Sequence, residues 1–324
     1  MPSSFHVLVP MIAAFLPACA GAPSPLRIHG LVAAVLTPFD EAGRLNLTVV
    51  PTQHAYLRAT DVEYVFVTGT TGESLSLSRE ERMAVMDAWI DAGARVIMHV
   101  GAESVNDARA LAAHAQSRGA LAIGAMPPTF FKPANVDALA ATIAAICTGA
   151  PTLPCYYYHI PSMTGTAFPM IDVVPALEAR APNFAGIKYT GFYTYPGLLD
   201  AQRVIEYKGG KYEVLSGREE QMIEAMAVGM VGHVGSQFNI AGDLCARYPP
   251  RCSPGEGTLR RGPSNAATWM SFIRRYGWQV CRARAALRGR GHHSVQRRGP
   301  PADAEPRTRT HQRVAGGAAG GCQR

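Results

Sequence analysis

Residues 184–190 read FAGIKYT. The run is apolar on consecutive positions rather than on alternate ones. That pattern marks a strand buried on both faces, as in a parallel sheet covered by helices. Seven further runs of this kind can be read outward from it: GLVAAVLTPF (30–39), EYVFVTG (63–69), RVIMHVGA (95–102), ALAIGAMPP (120–128), LPCYYYHIP (153–161), YEVLSG (212–217) and VGHVGS (231–236). Ala-rich stretches of helical period lie between them, with their own start and stop signals. Ser78 with Glu81 forms a capping box ahead of ERMAVMDAWIDAG, which closes at Gly93. Ser104 with Asp107 opens the next helix, which ends at Gly119, and Asn135 opens VDALAATIAAICT, which ends at Gly149. Eight strands alternating with helices over residues 28–247 predict an α/β fold, a (β/α)8 TIM barrel. The alternative is a doubly wound open sheet. The missing glycine-rich dinucleotide fingerprint after the first strand and the even spacing favour the barrel.

FAGIKYT also holds Lys188, and a lysine is almost never buried without a reason. In such barrels the chemistry gathers at the C-terminal ends of the strands. Here those ends carry Thr37, Thr70-Thr71, Tyr158, Lys188 with Thr190, the Gly217–Glu220 loop and Ser236. An amine in an apolar barrel mouth loses charge, and a neutral amine attacks a carbonyl to form a Schiff base. Residue type alone leaves two alternatives, a lysine snorkelling from a strand end or an ion pair with Glu219 or Glu220. Tyr158 ends the YYY run of the fifth strand, where a phenol moves protons or an aromatic ring plugs the core. VTGTTGES (67–74) leads a strand through a Gly-Thr-Thr-Gly turn whose amides and hydroxyls suit a carboxylate. Taken alone it is a strand–helix turn. Together these parts describe a class I aldolase acting on a 2-keto acid. The turn holds the carboxylate, Lys188 takes the keto carbon and Tyr158 moves protons.

Seven segments in order, GLVAAVLTPFDEAGRLN, VTGTTGESLSLSREER, PPTFFKP, YYYHIPSMTG, GIKYT, LSGREEQMIEA and GHVGSQFN, resemble the N-acetylneuraminate lyase/dihydrodipicolinate synthase family. The resemblance implies that Lys188 is the Schiff-base lysine and Tyr158 the proton-transfer tyrosine. It implies that Thr70 and Thr71 hold the pyruvate carboxylate, and that Thr190, Gly217, Glu219, Glu220 and Ser236 line the pocket for the rest of the substrate. It implies a lyase that cleaves N-acetylneuraminate to N-acetylmannosamine and pyruvate, with no metal and no cofactor beyond the imine on Lys188, in a homotetramer. Members that condense pyruvate with aspartate semialdehyde carry an Arg before the Thr-Gly after the tyrosine motif. This chain has Ser162-Met163-Thr164-Gly165 there. Phe130-Phe131 replaces their Tyr-Tyr. Glu219 stands where Asp is usual, and Arg218 precedes it. The alternatives are a sister aldolase or hydratase, either dihydrodipicolinate synthase-like or acting on a 2-keto-3-deoxy sugar acid, and a catalytically dead barrel that binds a keto acid.

The formal net charge is +7, but it is unevenly spread. Residues 247–324 hold 16 of the 31 basic residues, all Arg, and 3 of the 24 acids, so they carry +13 and the rest of the chain −6. The barrel segment is therefore an ordinary acidic globular sequence, and no nucleic-acid partner is expected. Residues 248–324 form an Arg/Gly/Pro-rich tail in place of the family's closing helices. Arg without Lys is what a shifted reading frame of GC-rich DNA gives, and the rival readings are a disordered basic tail and a divergent subdomain. No apolar run reaches the ~18 residues a membrane span needs. Residues 1–27 form an N-terminal extension, in which a short apolar stretch precedes Ala18-Cys19-Ala20 without a basic start. A cytoplasmic protein is expected, with secretion or an organelle, through residues 1–26, as the alternative. Seven cysteines with no CxxC spacing predict reduced, buried thiols rather than a zinc site or a disulfide framework.

Overall fold

The computed structural model describes residues 26–191 and 194–246. Of the expected N-terminal extension only Leu26 and Arg27 are described, and the Arg-rich tail lies outside the described residues. Eight parallel strands pair in sequence order and close on themselves. They are β1 (Gly30–Ala34), β2 (Tyr64–Val67), β3 (Arg95–His99), β4 (Ala122–Ala125), β5 (Cys155–His159), β6 (Phe184–Tyr189), β7 (Glu213–Ser216) and β8 (Gly232–Gly235). Closure comes from β8 against β1, with Gly30 opposite Gly232 and Val32 opposite Val234. Each strand falls inside one of the eight apolar runs. The helices are α1 (Val50–Ala59), α2 (Arg79–Asp91), α3 (Val105–Ser117), α4 (Val136–Cys147), α5 (Pro161–Thr164), α6 (Met170–Glu178), α7 (Tyr195–Glu206), α8 (Met222–Ala227) and α9 (Phe238–Ala246).

The helix starts follow from their caps. Ser78 Oγ accepts the Glu81 amide while the Glu81 carboxylate accepts the Ser78 amide, a complete capping box. Ser104 Oγ and Asn135 Oδ1 accept the amides of Asp107 and Ala138. The core has two parts. A mantle between strands and helices contains Trp89, Leu111, Ile143 and Tyr157. A narrower cluster fills the lumen with Val32, Phe66, Ile97, Tyr156, Tyr158, Leu215 and Val234. At the floor, Glu213 accepts hydrogen bonds from the Ile28 amide and the Tyr156 hydroxyl, both at 2.7 Å. Burial raises the Glu213 carboxyl above its usual range.

The cysteine expectation needs correction. Cys147, at the end of α4, and Cys155, at the start of β5, form a disulfide with Cα atoms 5.9 Å apart. The turn between them folds the chain back within eight residues, so proximity comes from the helix–strand reversal and not from any cysteine motif. Cys245 is a buried thiol. Among the described residues, no helix is long and apolar enough to cross a membrane, and no three His, Cys, Asp or Glu side chains cluster to hold a metal ion.

Candidate active site

Lys188 lies on the inner face of β6, opposite Tyr158 of β5 on one side and Leu215 of β7 on the other. It is 4% exposed. Its Nζ sits 3.8 Å from the centre of the Phe66 ring and 3.9 Å from that of Tyr158. Burial lowers its pKa to about 7, against the pull of the Glu219 carboxylate, which favours the charged form. A substantial fraction of the amine is therefore unprotonated near neutral pH, where an ordinary lysine is almost wholly charged. Neither alternative for this residue fits: the side chain does not reach solvent, and no carboxylate is in salt-bridge contact with it among the described residues.

Alternation along β5 turns Tyr156 and Tyr158 into the lumen and Tyr157 into the mantle. The Tyr158 hydroxyl is 3.2 Å from Thr70 Oγ1. Burial raises its pKa to about 12, partly offset by the Thr70 contact. The phenol is thus a held proton rather than a standing base.

Thr70 and Thr71 occupy the turn after β2. Thr71 Oγ1 meets Ser236 Oγ at 2.7 Å, which ties this turn to the end of β8. The turn is bracketed by two non-glycine residues in the left-handed region, Thr68 at φ +51° and Glu73 at φ +62°. A β-branched residue there is strained by ~1–2 kcal/mol, so something must hold it. Thr68 Oγ1 donates to the His99 carbonyl, and His99 Nδ1 lies 2.9 Å from the Thr68 carbonyl. A carbonyl only accepts, so Nδ1 carries the hydrogen. Arg82 of α2 is 2% exposed and donates to the carbonyls of His99 at 2.6 Å and Gly101 at 2.9 Å. Burial lowers Arg82 to about 10, and burial together with the Arg82 charge drives His99 well below its usual value. The pair is a brace for the turn.

On the opposite wall, Thr190 donates from both N and Oγ1 to the His159 carbonyl, at 2.9 and 2.5 Å. A Cβ on Gly217 would stand 1.9 Å from Thr190 Cγ2, so only glycine lets the β7 loop come this close. The two adjacent glutamates part company. Glu219 Oε1 turns inward and accepts the amides of Ser236 at 2.8 Å and Gln237 at 3.2 Å. Burial nevertheless raises its pKa. Glu220 stays on the rim, 3.4 Å from the Arg218 guanidinium. Arg218 Nε donates to the Gly191 carbonyl at 3.0 Å. Thr70, Thr71, Tyr158, Lys188, Thr190, Gly217, Glu219 and Ser236 therefore surround one mouth, with Glu220 at its edge. The sequence reading missed Phe66, His99 and Arg82. No local signal marked them: the four residues of β2 are all buried, so the pattern of EYVFVTG does not tell which of them faces the lumen.

Residues 27–256 match the model of the dihydrodipicolinate synthetase family. The chain is 40% identical to the N-acetylneuraminate lyase of Danio rerio over 241 residues, 72% of this chain and 77% of that one. It is 35% identical to the N-acetylneuraminate lyase of Gallus gallus over 268 residues, 81% of this chain and 86% of that one. Among solved structures, the N-acetylneuraminate lyase of Proteus mirabilis superposes with a TM-score of 0.64 at 30% identity, covering 82% of this chain and 80% of the other. With the family's model matched across the whole barrel, the chain belongs to the dihydrodipicolinate synthetase family.

Proposed function

We propose that this protein is a class I lyase that cleaves N-acetylneuraminate to N-acetylmannosamine and pyruvate through an imine on Lys188. The observation that carries the reading is a single one: a 4%-exposed lysine, with its pKa lowered to about 7, beside a buried tyrosine that contacts the Gly-Thr-Thr-Gly turn. The carboxylate of the substrate lies on that turn, held by Thr70 and Thr71. The Lys188 amine adds to the keto carbon, and its proton passes to the oxygen. Tyr158 gives a second proton, water leaves, and a cationic iminium and a phenolate remain. The phenolate takes the proton of the C4 hydroxyl. The C3–C4 bond breaks, its electron pair runs into the iminium, and the aldehyde and an enamine form. Protonation at C3 and hydrolysis by water release pyruvate and the amine. The lysine supplies the electrophile, so this route draws on no metal or organic cofactor.

Thr190, Ser236, Gly217 and Glu219 flank the polyhydroxyl part of the substrate. The Thr190 hydroxyl proton is committed to His159, so its lone pairs accept from a sugar hydroxyl. Glu220 reaches only the outermost hydroxyls. The same reading includes self-association, a homotetramer by family resemblance. Phe130 and Phe131 are 80% and 81% exposed. Glu103 fixes them by accepting from the amides of Thr129 and Phe130 and from the Thr129 hydroxyl. Sedimentation of the wild-type and Phe130→Ser/Phe131→Ser proteins tests that part.

The chemistry is tested by incubating the protein with pyruvate, reducing with borohydride and reading peptide masses beside Lys188→Ala. A pyruvate-derived adduct confined to the Lys188 peptide, with pyruvate released from N-acetylneuraminate, is expected. An adduct without neuraminate cleavage would point to a sister aldolase. A folded wild-type chain with no adduct would end the imine reading.

A further inference from the structure

The Lys188 nitrogen has no hydrogen-bond or ion-pair partner among the described residues, yet it is not lost in hydrocarbon. Two aromatic faces lie against it at 3.8 and 3.9 Å, Phe66 from β2 and Tyr158 from β5. The two rings stand nearly perpendicular to each other, 79° apart with centres 5.5 Å apart, so they form a corner and not a stack. The mechanism uses the Tyr158 hydroxyl. It makes no use of the Phe66 ring.

The fold spends space to fix that ring. A Cβ on Gly69 would lie 2.6 Å from Phe66 Cε1, and one on Gly124 2.9 Å from Phe66 Cε2. Both edges of the ring are thus gripped by backbone that only glycine allows, and its face is left toward Lys188. Phe66 is 2% exposed, so water does not compete for that face. The groups around the nitrogen are Glu219 from the turn after β7, Tyr158 from β5 and His99 from β3, with Arg82 of α2 behind His99. His99 is uncharged at neutral pH, so no second cation shares the rings.

We propose that Phe66 is a positioning residue whose ring face, with that of Tyr158, cradles the Lys188 nitrogen in its cationic forms, the ammonium of the free enzyme and the protonated imine of the intermediate. The negative face of an aromatic quadrupole attracts a cation within about 6 Å, and most strongly where water is excluded. Burial disfavours the charged amine, and Glu219 works against it. The ring faces add to the side of Glu219: they favour the ammonium, and they keep the proton on the imine nitrogen, where the electron sink needs it. This inference rests on the imine reading of Lys188 and adds to it a group that touches no reacting carbon.

Fluorinated phenylalanines separate the quadrupole from shape. One, two and three fluorines at position 66 of the full chain weaken the negative face stepwise while the ring keeps its outline. The Lys188 pKa is read from the pH dependence of its labelling by cyanate, followed by peptide mass. The imine is read separately by borohydride trapping with pyruvate. Expected is a stepwise fall of the labelling pKa with fluorine count, about one pH unit over the series. The trapping-rate profile should move in parallel, with melting temperatures close together. A labelling pKa that stays put, or that moves without following fluorine count, overturns the cradle. If the labelling pKa follows fluorine count but pyruvate leaves no adduct, the cradle of the ammonium survives, and the imine reading and the cradle's role in the intermediate both fall.

Discussion

Lys188 is a site where function and stability oppose each other. Its pKa falls from an ordinary 10.5 to about 7 on folding. Between those values the unfolded chain holds a proton that the native chain does not, so the stability of the native state rises with pH across that window. Below pH 7 both states are protonated and the full penalty stands. Above 10.5 neither is, and it vanishes. Lys188→Met keeps the apolar stem and removes the amine. It is expected to be more stable than wild type by on the order of 4 kcal/mol at pH 7, with the difference shrinking as pH approaches 10.5. Urea midpoints at the two pH values measure this, and an equal difference at both would contradict the buried-amine picture. Activity has the matching sign: the rate of adduct formation rises through pH 7 as the amine loses its proton. Gly217 makes a second residue-scale case. Gly217→Ala places a methyl group into Thr190, so Thr190 must move off the His159 carbonyl. The expected result is a KM for the sugar acid raised about tenfold, the equivalent of one lost hydrogen bond, with pyruvate trapping nearly unchanged. A loss of trapping instead would mean that the β6 end itself had shifted.

At the scale of elements, what was legible in the sequence divides along a physical line. Strand and helix positions could be read because each is a local property: a continuous apolar run, or a cap such as Ser78 with Glu81. Lys188 could be singled out as a candidate because a lysine in FAGIKYT breaks the pattern of its own strand. Phe66 could not be assigned a role, because in a strand buried on both faces Tyr64, Val65, Phe66 and Val67 are equally apolar, and only closure of the barrel decides which looks inward. Glu219 and Glu220 looked alike for the same reason. The turn after β7 sends one to the β8 amides and the other to the rim. The disulfide was missed because two cysteines eight positions apart across the α4–β5 turn carry no recognisable signature. That link makes its own prediction. A closed loop of this length restricts the unfolded chain, and losing it costs about 2–3 kcal/mol in the chain-entropy picture. The double variant Cys147→Ser/Cys155→Ser, or treatment with a thiol reductant, should lower the urea midpoint by that amount. Because the link lies at the opposite end of β5 from Tyr158, pyruvate trapping should persist at low denaturant. A midpoint indifferent to reductant would show that the two cysteines contribute as separate buried thiols.

For the whole molecule, the decisive property is closure. Each strand of β1–β8 has two partners, with β8 returning to β1, so no free edge remains along which the sheet can open one strand at a time. The active site draws on the same closure. Thr70 and Thr71 follow β2, the His99 brace is on β3, Tyr158 on β5, Lys188 on β6, and Ser236 follows β8 and bonds back across to Thr71. Opening the ring at any strand pair separates at least two of these groups. Loss of chemistry and loss of fold should therefore coincide. In urea titrations, far-ultraviolet circular dichroism, tyrosine fluorescence and the yield of borohydride-trapped pyruvate should share one midpoint, because a half-barrel keeps helices without keeping Lys188 dry. If trapping survived into a phase where half of the helical signal had gone, a sub-barrel would be holding the site by itself. If trapping disappeared well before the helical signal, the mouth would be melting locally, and the Arg82–His99 brace under the strained Thr68 turn would be the first place to look. A coincident transition would mean that the depressed pKa of Lys188 and the barrel's closure are one cooperative property, since the burial that lowers that pKa exists only while all eight strands are paired.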